Sequence, residues 1–321
     1  MGNLSRRHFL QLGAAAVATV TAGHVCAQTS PVRLIVPFAA GGASDSAARV
    51  LGKALSASLR QTVVIDNSPG ANGALAAKTV VNAPGDGATL LWGVGSMAAI
   101  PLLQRNPPFE ALSDFTPVAR VGQFPFGMFV HPDVPAATLA EFIAYARANP
   151  DKLSYAAATL SEYMAASQLT TAAKITMTRV PYKGGAQAIP DLLAGRVQVY
   201  FTPIFLALPH VSSGKLRMLG VLLPQRSAAI PDVPTMAEAG WPSVSVPVWQ
   251  AVLGPRTTLK ETAARLAREI HLALKNPEVL AQFEKLMLVV DPSTPEELAK
   301  TARDDVETWR AFIRDNDVSQ Y

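Results

Sequence analysis

The sequence predicts an α/β protein in two lobes, one inserted into the other, with largely parallel sheets. Three observations carry this. Strand-like and helix-like segments alternate for most of the length. Two short strand-like runs, Leu34-Ile35-Val36 and Thr178-Arg179-Val180-Pro181-Tyr182, each lead through paired glycines into a helix. Two irregular, proline-rich zones, 101–125 and 224–247, bracket the central block, so both ends of the chain would build the first lobe.

The leading segment reads as an export signal. Ser5-Arg6-Arg7-His8-Phe9-Leu10 has the form of a twin-arginine signal, and the apolar stretch 12–22 is too short to span a bilayer. Val25-Cys26-Ala27 offers small residues for cleavage after Ala27. That cleavage removes Cys26, the single cysteine, and with it any disulfide, thiol nucleophile or cysteine-based metal site. The net charge of +4 includes Arg6 and Arg7, so the remainder is closer to neutral. Its basic residues are scattered, which argues against nucleic acid or an anionic membrane surface as partner.

In order along the chain, 34–36 reads as a buried strand ended by Pro37, and Gly41-Gly42 as a turn. Ser44 and Asp45 are expected to cap a helix whose apolar face carries Ala48, Leu51, Leu55 and Leu59. A strand over 62–65, a helix over 73–81 and a strand over 89–92 follow, and 101–125 is expected to contain little regular structure. A strand over 126–131 leads to a helix opened by a capping box between Thr138 and Glu141 and closed at Asn149-Pro150. Next come a strand over 153–156, a polar turn, a strand over 177–182, a helix over 186–194 and strands over 197–201 and 216–222. Beyond the second irregular zone, 248–253 reads as a strand. Capping boxes at Thr258/Glu261 and at Thr294-Pro295-Glu296-Glu297 open two C-terminal helices.

Catalytic signatures are sparse. Beyond the leader the histidines are His131, His210 and His271, far apart and without ligand spacing. Gly93-Val94-Gly95-Ser96 matches neither a nucleophile elbow nor a dinucleotide fingerprint. The acidic pairs Asp304-Asp305 and Glu296-Glu297 read as solvated helix faces. No metal, cofactor or enzymatic reaction is expected. A strand, a glycine turn and a helix N-terminus instead form a receptor for a small anion, because unshielded amides and the positive end of the helix dipole converge. Lys183-Gly184-Gly185 repeats that arrangement in the other lobe. Two such turns facing each other across a cleft can hold a ligand with an anionic group at each end.

Five segments in order then carry a resemblance. Residues 33–45, Asn67-Ser68-Pro69-Gly70-Ala71-Asn72-Gly73, Ala83-Pro84-Gly85-Asp86-Gly87, 180–185 with 191–195, and 231–240 resemble the Bug receptors, the extracytoplasmic solute-binding proteins of tripartite tricarboxylate transporters. The resemblance runs from about Pro31 into the C-terminal helices. It implies a type II periplasmic-binding-protein fold: two α/β lobes, 28–124 with 251–321 and 125–250, joined by two crossover strands with a ligand cleft between them. It implies a monomeric periplasmic receptor that presents a small carboxylate to a membrane permease, or signals through a sensor kinase. An exported enzyme on the same scaffold is a remoter reading. Carried over residue by residue, the first lobe would contribute Phe38, Ala40, Gly41, Gly42, Ser44, Asp45, Ser96 and Met97. The second would contribute Ala158, Thr159, Ser161, Glu162, Tyr182, Lys183, Gly184 and Thr202.

Two places depart from the family pattern. The turn after Tyr155 lacks the usual glycines and histidine and carries Glu162, and Thr202-Pro203 stands where Asp-Asn is common. Facing the cleft, Glu162 would repel a carboxylate and favour an amine, amide or hydroxyl; otherwise it caps the helix that follows it. The first lobe is therefore expected to keep its carboxylate site while the second has altered specificity.

Overall fold

The computed structural model describes residues 30–223, 225–226 and 230–316. The expected leader and its cleavage point lie outside these residues. From Pro31 onward the described chain carries two sheets.

The first sheet is built from both ends of the chain. Strands β1 (Val32–Val36), β2 (Val63–Asn67), β3 (Thr89–Val94), β4 (Phe115–Gln123), β10 (Trp249–Pro255) and β11 (Val289–Val290) lie in the order β11-β4-β10-β3-β1-β2. Helices α1 (Ala43–Leu59), α2 (Ala74–Val81), α3 (Ile100–Leu103), α8 (Lys260–Ala273), α9 (Pro277–Lys285) and α10 (Pro295–Asp315) accompany it. The second sheet comprises β5 (Phe126–Val130), β6 (Ser154–Ala157), β7 (Thr178–Pro181), β8 (Val199–Pro203) and β9 (Arg217–Val221), in the order β7-β6-β8-β5-β9. Its helices are α4 (Leu139–Ala148), α5 (Leu160–Ala173), α6 (Gly185–Leu193) and α7 (Ile204–Ser212).

Burial explains the strand composition. Val32, Leu34, Ile35 and Val36 of β1 and every residue of β8 are buried, as befits inner strands covered on both faces. Trp92, Trp309, Phe124 and Phe283 anchor the core around the first sheet, while Phe142, Tyr200 and Phe201 fill the interior around the second.

Both sheets are mixed, not largely parallel. β1 runs parallel to β2 and β3, and β6 parallel to β7 and β8. In contrast β10 is antiparallel to β3 and β4, and β5 is antiparallel to β8 and β9. The reversal has a topological reason: β4 passes through Phe124-Pro125 directly into β5 of the other sheet, and the chain returns through 222–248 into β10.

Other expectations need correction. The 101–125 zone contains the nine-residue strand β4, and the polar turn after β6 is the fourteen-residue helix α5. Helix α7 was not expected at all. The N-cap of α1 is Gly42, with Ser44 and Asp45 inside the first turn, so neither caps it. The N-cap of α8 is Leu259, without a side-chain cap, so Thr258 and Glu261 form no capping box. Thr258 instead packs against Gly254 on β10 and donates its amide to the Pro255 carbonyl. The boxes at Thr138/Glu141 and Thr294/Glu297 form as expected.

Candidate functional site

A cavity of about 80 Å³ lies where strands from both sheets deliver helix N-termini. From the first sheet, β1 ends at Val36 and the turn through Phe38, Ala39 and Ala40 leads to the Gly42 N-cap of α1. Gly41 adopts φ +84°, a left-handed conformation that favours glycine. Asp45 fixes this turn from below: its carboxylate accepts the Gly41 amide at 2.9 Å, Arg49 Nε at 3.0 Å and Asn67 Nδ2 at 3.0 Å. Burial works to raise the Asp45 pKa, but the bonds from Arg49, Gly41 and Asn67 outweigh it and hold the carboxyl below its usual value.

From the second sheet, β7 leads to the Gly184 N-cap of α6, with Gly185, Ala186 and Gln187 on the cavity wall. Neither α1 nor α6 has a side-chain cap, so their first-turn amides depend on solvent or a ligand. A Cβ on Gly184 would lie 3.4 Å from Ala39 Cβ, so the two turns approach closely.

The floor comes from β10 and the segment before it. Gln250 is buried, and its Oε1 accepts Ser44 Oγ at 2.8 Å and Trp92 Nε1 at 2.7 Å. Gly95 is needed against Pro247, because an added Cβ would lie 2.6 Å from Pro247 Cβ. Phe124, Phe126, Pro203, Leu206, Val248 and Trp249 give the cavity a mostly apolar body.

A third helix N-terminus, that of α5, completes the wall. Thr159 caps it by accepting the Glu162 amide at 3.2 Å. Glu162 is 2% exposed and lines the cavity. Its Oε2 accepts the amides of Ala158 at 2.5 Å and Thr159 at 3.0 Å, and its Oε1 accepts the Tyr200 hydroxyl at 3.0 Å. Burial pushes its pKa up to about 7, against the lowering influence of those three bonds and of Arg179. Glu162 thus both caps α5 and faces the cleft, two roles that the sequence left as alternatives. Ser161 Oγ donates to the Pro247 carbonyl at 2.9 Å, joining α5 to the segment before β10.

Of the residues expected from the sequence, Phe38, Ala40, Gly42, Ser44, Ser96, Thr159, Ser161, Glu162 and Gly184 line the cavity. The others lie outside its lining. Gly41 and Asp45 support the first turn, and Ala158 donates to Glu162. Met97 instead faces a separate apolar cavity with Phe109, Leu112, Trp249 and Leu298. The Tyr182 hydroxyl donates to Asp191 at 2.8 Å, and Lys183 is exposed. Thr202 is fully buried on β8. The sequence did not single out Phe124, Phe126, Leu206, Pro247, Trp249 or Gln250. All but Leu206, which comes from α7, stand in or beside the two chain passages between the sheets, and the aromatic residues flanking proline at 124–126 and 247–250 are the signal that could have found those. Among the described residues no His, Cys, Asp and Glu group is placed to hold a metal ion, and no helix is long and apolar enough to cross a membrane.

Residues 47–318 match the family model described as the tripartite tricarboxylate transporter family receptor. The chain is 34% identical to protein BugT of Bordetella pertussis over 294 residues, covering 89% of each. Among solved structures, periplasmic binding protein BugD superposes with a TM-score of 0.85 at 29% identity, covering 91% of this chain and 99% of that one. The R. palustris protein Rpa4515, solved with adipate, gives a TM-score of 0.86 at 28% identity, covering 91% and 98%.

Proposed function

The chain belongs to the tripartite tricarboxylate transporter receptor family, and from that premise we propose that it captures a small carboxylate in the inter-sheet cavity and delivers it to a membrane permease. It is a binding protein and not an enzyme, as its relatives are. The observation that carries the reading is the pair of uncapped helix N-termini, α1 at Gly42 and α6 at Gly184, opening onto one cavity whose lining holds no lysine or arginine. The adipate bound to Rpa4515 supports the ligand class.

In this reading the amides of α1 and α6 and the hydroxyls of Ser44, Ser96 and Ser161 take the carboxylate. A charge-assisted hydrogen bond is worth about 1.5–3 kcal/mol and a helix terminus up to about 2 in a partly buried site. A few such contacts reach the roughly 8 kcal/mol of a micromolar complex after association costs. The two lobes would be 28–124 with 251–321 and 125–250, a division that the two sheets support. The leader over 1–27 would export the chain by the twin-arginine route to the periplasm, with cleavage after Ala27.

A thermal-shift screen tests the reading. A carboxylate at a hundred times its dissociation constant should add about 2.7 kcal/mol, a shift of several degrees. No shift with any carboxylate of two to eight carbons, at millimolar concentration, would refute it.

A further inference from the structure

Three helix N-termini meet at the cavity, and they are not alike. α1 and α6 begin at Gly42 and Gly184 with no side-chain cap; the Asp45 carboxylate takes the Gly41 amide ahead of α1 but lies outside the cavity lining. At the start of α5, Glu162 Oε2 holds the N–H groups of Ala158 and Thr159, which lead into the helix, and Thr159 Oγ1 holds the Glu162 N–H. The Glu162 carboxylate therefore puts a negative charge beside this helix end, where an open end would draw a bound anion. A capping box on the protein surface has the same bonds, as at Thr138 and Glu141, where Glu141 Oε2 accepts the amides of Ala137 at 2.6 Å and Thr138 at 3.2 Å. The difference lies in placement. Glu141 is exposed, whereas Glu162 is buried, braced by Tyr200, and carries the one ionisable side chain among the described residues that line this cavity.

Resting on the carboxylate-receptor reading, we propose that Glu162 fills one anion position from within and makes this receptor selective for a single-headed ligand: one carboxylate on the α1 and α6 amides, an apolar body, and a far end that is uncharged or cationic and donates a hydrogen bond to Glu162. A second carboxylate at the far end would meet the Glu162 carboxylate wherever that group is ionised, in a wall with no cation to offset it. A hydroxyl, primary amide or ammonium group meets an acceptor instead. Glu162 Oε1 has taken one donor, from Tyr200, and retains a lone pair for another. The middle of the ligand would lie among Phe124, Phe126, Pro203 and Leu206, surfaces that suit methylene or aromatic carbon.

The test is isothermal calorimetry at about pH 8 with matched sets: adipate, its monoamide and the hydroxy acid of equal length, and the same three built on succinate. The monoamide or hydroxy acid should bind at least about tenfold tighter than the dicarboxylate in one of the two sets, a difference of about 1.4 kcal/mol. In Glu162→Gln, whose amide oxygen can still accept the Ala158 and Thr159 amides, that ratio should fall toward one or invert. Dicarboxylates that bind the unaltered protein as tightly as their monoamide and hydroxy-acid counterparts in both sets overturn the inference, and need no variant to do so. An unchanged ratio in a folded Glu162→Gln protein overturns it as well. Both results leave the carboxylate site standing, whereas failure of all six compounds and of the wider carboxylate panel would overturn the reading beneath it.

Discussion

Ser44 on α1 donates its hydroxyl to Gln250 Oε1 on β10 at 2.8 Å, tying a cavity-wall helix to the strand that brings the chain back into the first sheet. The same oxygen accepts Trp92 Nε1 at 2.7 Å, so one buried amide positions β3, β10 and the first turn of α1 together. Backbone amides that bind a ligand must be held to within fractions of an ångström, and here side chains behind them do the holding.

Gln250 is thus the residue whose replacement separates stability from charge. Gln250→Leu leaves the Trp92 N–H and the Ser44 hydroxyl without their acceptor, at about 1–3 kcal/mol for each buried group. Gln250→Glu keeps both bonds but adds a carboxylate to the cavity floor. Denaturant melts should show the first variant markedly less stable. Calorimetry should show the second losing about tenfold or more in carboxylate affinity through like-charge repulsion.

Asp45 predicts a positioning effect without ligand contact. Asp45→Ala removes the acceptor of the Gly41 amide and of Asn67 Nδ2, loosening the turn that presents Ala40 and Gly42. The ion pair with Arg49, itself half exposed, adds little. Carboxylate affinity should fall by about tenfold while stability drops by roughly 1.5–3 kcal/mol, a scale set by one lost hydrogen bond to a charged group. Hydrogen exchange at Gly41 should accelerate. An unchanged exchange rate would show the turn to be held by other means.

Lys183 and Gly185 are two residues apart and should respond oppositely. Lys183 is exposed and absent from the cavity lining, so Lys183→Ala should leave affinity within about twofold, as expected of a solvent-screened charge. A Cβ on Gly185 would lie 3.0 Å from the Tyr200 hydroxyl and 3.1 Å from Leu206 Cδ1. Gly185→Val should therefore crowd Tyr200 and the wall beside it and weaken binding by at least about tenfold, as overpacking of a shaped site does. The two variants can be compared in one titration series.

The sequence showed these elements unevenly, for physical reasons. The Gly41-Gly42 and Gly184-Gly185 turns were legible because glycine pairs between an apolar run and a helix have few other uses. α5 was legible only as a helix following Glu162, and its start at the capping box of Thr159 and Glu162 reads in sequence as a polar turn. Leu160, Ser161, Glu162, Met164, Ala165 and Ala166 are all buried, so polar and apolar residues share the inner side of its first turns and no amphipathic stripe shows. β4 was hidden by Pro117, which interrupts a strand pattern and here sits beside a register shift against β10. α7 contains Pro209, a residue that argues against a helix interior. The apolar part of the site was harder to read for another reason: Phe124 and Trp249 beside the chain passages meet Leu206 of α7, and although the aromatic-proline clusters mark the passages, no local pattern encodes that meeting.

Glu162 also sets a pH dependence whose sign follows from its burial. Its carboxyl is pushed from 4.5 up to about 7 in the folded chain, so folding favours the protonated form. Asp305, buried beside the indole N–H of Trp249, is likewise raised to about 6 from 3.8. The stability these groups contribute is fully present below their unfolded values, declines as pH rises through the interval, and is lost above the folded values. The groups facing Glu162 are the Tyr200 hydroxyl, itself pushed well above its usual range by burial and the Glu162 charge, and more remotely Arg179. The Tyr200 hydroxyl stays protonated between pH 5 and 8. Glu162→Gln cannot ionise, so its stability relative to the unaltered protein should improve between pH 5 and 8 by an amount on the order of 3 kcal/mol, at about 1.4 kcal/mol per pKa unit. Dicarboxylate affinity in the unaltered protein should rise as pH falls from 8 to 6, because the charge at the far end of the cavity is removed while the ligand stays ionised. Melting curves and titrations across that range check both, and a stability difference that stays flat with pH would mean that Glu162 holds the same protonation state throughout.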